Sequence, residues 1–173
     1  MFEKSFRNYM ALCIVISCLW IAGCSPTEPK DNNIDTLKTV LEHEFNVPNE
    51  EVTAILDNFE DFDEYYRYTA DIFKPHFTDN GYEKFTNTSF SLMFHEAGYK
   101  YDFQLTTTQI DVKQNEVTPT NYNFTVYMDY VKKDGDSRKI EIPGTAIFRE
   151  DGIEKITYGG DKDLMRDMFE LQQ

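Results

Sequence analysis

The chain has 173 residues, with 17 basic against 31 acidic side chains and a net charge of −14 at pH 7. So large an acidic excess disfavours nucleic acid as a partner, because phosphate binding needs a basic face. It disfavours direct adhesion to an anionic bilayer for the same reason, and otherwise serves solubility.

Residues 1–8 carry Lys4 and Arg7 against Glu3, residues 9–21 are almost wholly apolar, and Ala22, Gly23 and Cys24 follow. A charged start, a short apolar run and a small-residue end are the three parts of a secretory signal. A membrane-spanning helix needs about 20 apolar residues, and this run is shorter and broken by Ser17. The stretch Ile21-Ala22-Gly23-Cys24 resembles the lipobox of bacterial lipoproteins. That resemblance implies a diacylglyceryl group on the Cys24 sulfur and removal of residues 1–23 by cleavage before it. It also implies attachment at the extracytoplasmic face of the cell membrane. Two acyl chains hold stably where one is marginal, each buried methylene contributing about 0.8 kcal/mol. An ordinary secreted protein cut near the same place is the alternative. Cys13 and Cys18 fall in the removed segment, so the processed chain has one cysteine and no disulfide framework.

After Cys24, residues 25–33 read SPTEPKDNN, polar and without periodicity. Residues 24–33 are thus expected as a lipidated cysteine and flexible tether reaching about 30 Å when extended, and residues 34–173 as one α+β domain. Ile34, Leu37, Leu41 and Phe45 recur at helical spacing and predict a helix over 34–45. Pro48 breaks it and Asn49 can cap the next. From Glu50 to Phe73 the apolar positions predict one long helix with a buried stripe, ended by Pro75. Thr78 or Asp79 caps a short helix with Tyr82 and Phe85. Another helical segment is expected over Ser89–Ala97, with Gly98 as its stop.

The period then changes from helical to alternating. Tyr101, Phe103 and Leu105 alternate, and the phase shifts after the threonine run to Ile110 and Val112, which predicts a bulge. Tyr122 to Tyr130 alternate cleanly. Asp134-Gly135 turns the chain into a strand with Ile140, Ile142, Ala146 and Phe148, kinked or bulged at Pro143-Gly144. Asp151-Gly152 leads into Ile153–Tyr158, and a C-terminal helix with Leu164, Met168 and Leu171 closes the chain.

Helices followed by about four hairpin-linked strands read as α+β, with helices on one face of an antiparallel sheet. The helix Glu50–Phe73, the stretch FTDNGYEKF and the run from Tyr122 to Gly160 resemble the NTF2-like fold. The resemblance implies a cone, in which helices pack into the concave face of a curved sheet. Some cone-shaped relatives are enzymes that use one buried acid and one tyrosine, as in steroid-isomerase-type catalysis.

Asp57, Glu60, Asp61 and Glu64 share one face of the expected long helix and read as a solvated acidic ridge, since calcium loops need ligands converging from irregular backbone. His43, His76 and His95 sit on separate elements, without the convergence zinc requires, so neither metal nor cofactor is expected. No phosphate loop or nucleophile motif is present. Tyr65, Tyr66, Tyr68, Tyr99, Tyr101 and Tyr127 are expected around the mouth of the cone. Tyr65, Tyr66, Tyr68, Tyr101 and Tyr127 are the ligand-pocket candidates, against the plainer reading of helix-on-sheet packing. Asp102 and Asp129 are out of phase with the apolar faces, and no acid falls on an inward strand position. The expectation is therefore a non-enzymatic, membrane-anchored lipoprotein with an envelope protein partner, and alternatively a small-ligand binder using the cone. An isomerase or hydrolase in that cone is the remaining reading.

Overall fold

The first helix, α1 (Asn32–Phe45), buries Leu37, Val40, Leu41 and Phe45 completely, as its spacing predicts. It is seen in a computed structural model that describes residues 31–58, 63–87, 90–149 and 152–159. The leader, Cys24, most of the tether and the expected C-terminal helix lie outside the described residues.

Asn49 caps α2 (Glu50–Asp57), its Oδ1 accepting from the Val52 N–H at 2.7 Å. The single helix expected over 50–73 is instead two segments. Asn58 leaves helical geometry at φ −109°, ψ 27°, and α3 runs over Asp63–Phe73. Glu60 and Asp61 lie outside the described residues. Asp57 accepts from the Tyr99 hydroxyl at 2.7 Å. Pro75 sits in a 3-10 turn, Lys74–His76, where its missing N–H costs nothing. Thr78 Oγ1 then accepts from the Gly81 N–H at 2.8 Å and opens α4 (Asp79–Asn87).

Next comes α5 (Phe90–Tyr101), with Gly98 inside it rather than at its end. A Cβ on Gly98 would lie 3.0 Å from Pro48 Cδ and 3.1 Å from the Phe103 carbonyl oxygen. The glycine therefore serves close packing, not termination. The helix stops where Asp102 turns left-handed, at φ 54°. Tyr101 is therefore helical, and the first strand begins two residues later.

The sheet is antiparallel, in the order β1 (Phe103–Gln114), β2 (Asn121–Lys132), β3 (Ser137–Arg149), β4 (Gly152–Tyr158). This is the α+β class expected from the sequence. Pairing steps from Thr107↔Met128 to Gln109↔Tyr127, leaving Thr108 as the extra residue of a bulge. Burial accordingly moves from Phe103 and Leu105 to Ile110. Between β2 and β3 the register runs unbroken through Pro143 and Gly144, so the kink or bulge expected there is absent from this pair. Gly144 has another reason: a Cβ would sit 2.2 Å from Phe124 Cζ, because the Phe124 ring lies across it. The irregularity of β3 falls later, against β4, between Ile147 and Phe148.

On β2, Tyr122, Phe124, Val126, Met128 and Tyr130 are buried and the residues between them are not. With Ile140, Ile142, Ala146 and Phe148 of β3 they meet the apolar stripe of α1 in one core. Each such large apolar side chain contributes about 1.5–3 kcal/mol by its burial. A smaller cluster joins Val52 and Ile55 of α2 to Tyr65 of α3.

Candidate functional site: a buried glutamate and tyrosine

The stripe of α1 that faces the sheet runs 37, 40, 41, 44, 45, and position 44 is a glutamate. Glu44 is 0% exposed. Its Oε2 accepts a hydrogen bond from the Tyr158 hydroxyl, on the last residue of β4. Tyr158 pairs across the ladder with Gly144, which pairs with Phe124. The absent side chain of Gly144 lets the Phe124 ring reach Tyr158, edge to face at 5.8 Å. On the other side Phe45 meets Tyr158 edge to face at 5.7 Å, and Phe94 of α5 packs on Phe45 at 5.2 Å. The pair thus has aromatic walls supplied by α1, α5 and the sheet.

Burial in this apolar setting pushes the Glu44 carboxyl up to about 8, the Tyr158 hydrogen bond pulling only weakly the other way. Burial, then the neighbouring carboxylate, pushes the Tyr158 hydroxyl well above its ordinary range. Around neutral pH, both groups are therefore mostly protonated. Among the described residues Glu44 Oε1 has no hydrogen-bond partner. Tyr158 is half-buried as a residue, on the last position of β4. A carboxyl that titrates near neutral pH, held beside a phenol in a dry setting, can give or take a proton.

His95 of α5 lies close to the same helix end. It is 3% exposed, and its Nε2 is 3.3 Å from the His43 carbonyl oxygen, one residue before Glu44. Burial brings it down to about 4, so it is neutral at pH 7. With Nε2–H donating to that carbonyl, Nδ1 is a buried acceptor, and among the described residues it has no partner.

Of the five tyrosines singled out in the sequence, Tyr65, Tyr66 and Tyr68 are neighbours on α3, while Tyr101 and Tyr127 lie on other elements. Tyr65 is 1% exposed in the cluster with Val52 and Ile55, and the Tyr68 hydroxyl beside it accepts from Asn49 Nδ2 at 2.7 Å. Tyr66 is 54% exposed. Tyr101 is half-buried at the end of α5, and Tyr127 lies on the sheet face turned away from the core. Asp102 is exposed and bound to Lys133 at 3.1 Å, and Asp129 is in the outward phase of β2. Burial, and then the nearby His43, hold the His76 imidazole below its ordinary range. No group of three or more His, Cys, Asp or Glu among the described residues is arranged to hold a metal.

The sequence reading missed Glu44 because it sought an inward acid on the strands. The signal lay in the helix, where an acid occupies a core position of the 3–4 spacing.

No protein-family model matches the chain, and no curated protein matches it. Among solved structures the chain is similar to an NTF2-like protein from Anabaena variabilis. The identity is 15%, over 79% of this chain and 96% of that one, with a TM-score of 0.42. It is also similar to a "putative polyketide cyclase" from Xanthomonas campestris pv. campestris, at 13% identity, over 79% and 98% of the two chains, TM-score 0.41. A third is a "putative hydroxylase" from Streptomyces galilaeus, at 11% identity, over 78% and 85%, TM-score 0.37. Likenesses this distant say nothing of what this chain acts on. The expectation of a non-enzymatic protein is nevertheless corrected, and the finding that overturns it is the buried acid Glu44. Its physical ground was the lack of an inward acid, and Glu44 removes that ground.

Proposed function

We propose that this is a lipid-anchored extracytoplasmic protein, held by Cys24, whose domain binds a small neutral ligand at Glu44 and Tyr158 and can exchange a proton with it. The observation that carries the site is the completely buried Glu44, with one oxygen bonded to Tyr158 and the other without a partner among the described residues. A protonated carboxyl suits a ketone or phenol oxygen, to which Glu44 can donate from Oε1 while the Tyr158 hydroxyl holds Oε2. In its ionised form Glu44 can instead take a proton from a C–H beside a carbonyl and return it to another carbon of the resulting enolate, so that the proton is conserved. The lipid anchor is supported by the lipobox-like sequence alone. An envelope protein partner is the second reading, favoured by the aromatic filling around Phe45, Phe94 and Phe124.

The test is a thermal-shift screen of the full chain against cyclic ketones and phenols. Compounds that raise the melting temperature of the wild type should fail on both Glu44→Gln and Tyr158→Phe. A screen with no hits, or with hits indifferent to both substitutions, sinks the ligand site and leaves the partner reading, which in-cell crosslinking of the anchored protein would then address.

A further inference from the structure

A recess lies far along the sheet from Glu44, at the end where β1 begins and β2 finishes. Tyr158 sits level with Phe124, eight residues along β2 from Lys132, and Lys132 pairs with Phe103 at this other end. The cleft there has a volume of about 470 Å³, within the roughly 300–1,000 Å³ of small-molecule sites. Its apolar surface comes from Pro48, Tyr99, Phe103 and Val131. Tyr99 and Val131 are 40% and 43% exposed, two large apolar side chains left in water at one spot.

The charges at the cleft are not those of the rest of the molecule. Its ionisable lining is Asp102, Lys132 and Lys133, with Asp57 bonded to the Tyr99 hydroxyl beside them, a balanced spot on a chain of net charge −14. Lys133 is spoken for, its ammonium reaching both carboxylate oxygens of Asp102 at 3.1 Å. Lys132 is half-buried, and no carboxylate among the described residues pairs with it. Asp102 holds the left-handed backbone that ends α5 and turns the chain into β1 beneath the cleft. Non-glycine residues in that region are uncommon and cluster at functional sites.

We infer that this cleft binds a small monocarboxylate with a cyclic apolar body. The ring lies on Tyr99, Pro48 and Val131, and the carboxylate pairs with Lys132. A lysine ammonium beside apolar walls, without an internal counter-ion, selects for an anion over a neutral molecule of the same shape. The inference is independent of the Glu44 site, which shares none of these residues.

The probe is 4-benzoylbenzoate, an apolar diaryl ketone with one carboxylate, photocrosslinked to the purified full chain and mapped by peptide mass spectrometry. Its neutral amide serves as control. Labelling is expected on the peptides carrying Tyr99–Gln104 and Val131–Lys133, at least fivefold stronger for the acid than for the amide. Lys132→Gln should bring the acid down to the level of the amide, and Val131→Asp should abolish labelling by both, each with an unchanged circular dichroism spectrum. The inference is overturned if labelling is absent or scattered, if acid and amide label alike, or if Lys132→Gln changes nothing.

Discussion

At the scale of single residues, Glu44 makes the folded protein prefer mild acid. Its carboxyl titrates near 4.5 when unfolded and near 8 when folded. Between those values the folded state holds a proton that the unfolded state has lost. This contribution is therefore complete below about 4.5 and is lost as pH rises through 8, at roughly 1.4 kcal/mol per pH unit. His95 works in the opposite direction. Neutral in the fold down to about 4, it favours the folded state above its ordinary 6.5 and withdraws that support as pH falls. The two slopes oppose each other between about 4.5 and 6.5, and above that Glu44 acts without that counterweight. Urea unfolding of Glu44→Gln and wild type at a series of pH values should show the difference. The variant gains on the wild type steadily from pH 5 to 8, while parallel curves would mean that Glu44 is ionised in the fold.

At the scale of elements, α4 is fastened to β4 by one carboxylate. Glu154 accepts from Thr78 Oγ1 at 2.8 Å, from Lys84 Nζ at 2.9 Å and from Asn80 Nδ2. These partners, Lys84 first, hold the Glu154 carboxyl down to about 2. Thr78 serves twice, since the same oxygen caps α4. Gly81 allows the close approach, for a Cβ there would lie 2.1 Å from the Ile153 carbonyl oxygen. Thr78→Val should cost about 1 kcal/mol through the lost cap alone, measured by chemical denaturation. Glu154→Gln should destabilise at pH 7 and converge on the wild type as pH falls toward 2, because the depressed carboxyl supplies stability only where it is ionised. The elements themselves were largely legible. The 3–4 spacing of Leu37, Leu41 and Phe45 and the alternation of Tyr122–Tyr130 are direct consequences of which face is buried. The threonine-run bulge could be read because a one-residue insertion moves every later side chain to the other face. The break at Asn58 could not, since apolar spacing continues across it. Gly98 misled for a related reason: a glycine that ends a helix and one that admits a neighbouring proline look alike in sequence. Glu44 shows the same limit at the site, where a spacing rule that lists apolar residues passes over the acid occupying one of the same positions.

At the scale of the whole molecule, the proposed anchor and the site can be tested separately. Cys24→Ala should move the protein out of the membrane fraction, as read by fractionation and immunoblotting, and leave the folded domain's circular dichroism unchanged. Retention of the variant in the membrane would refute lipid attachment at that cysteine. An open sheet can pair with another copy along its edge, which gives weight to how the sheet ends at β1. Val47 exchanges both backbone hydrogen bonds with Leu105, at 3.1 and 2.8 Å, and Asn46 Oδ1 takes the Thr107 N–H. Past the Thr108 bulge the strand carries Asp111 and Lys113, both exposed. A strand offered by a neighbouring copy would find the first half of this edge already occupied and the second half twisted and charged. Such features suppress the edge-to-edge growth that turns open sheets into aggregates, so the segment Asn46–Val47 guards the sheet edge as well as joining two helices.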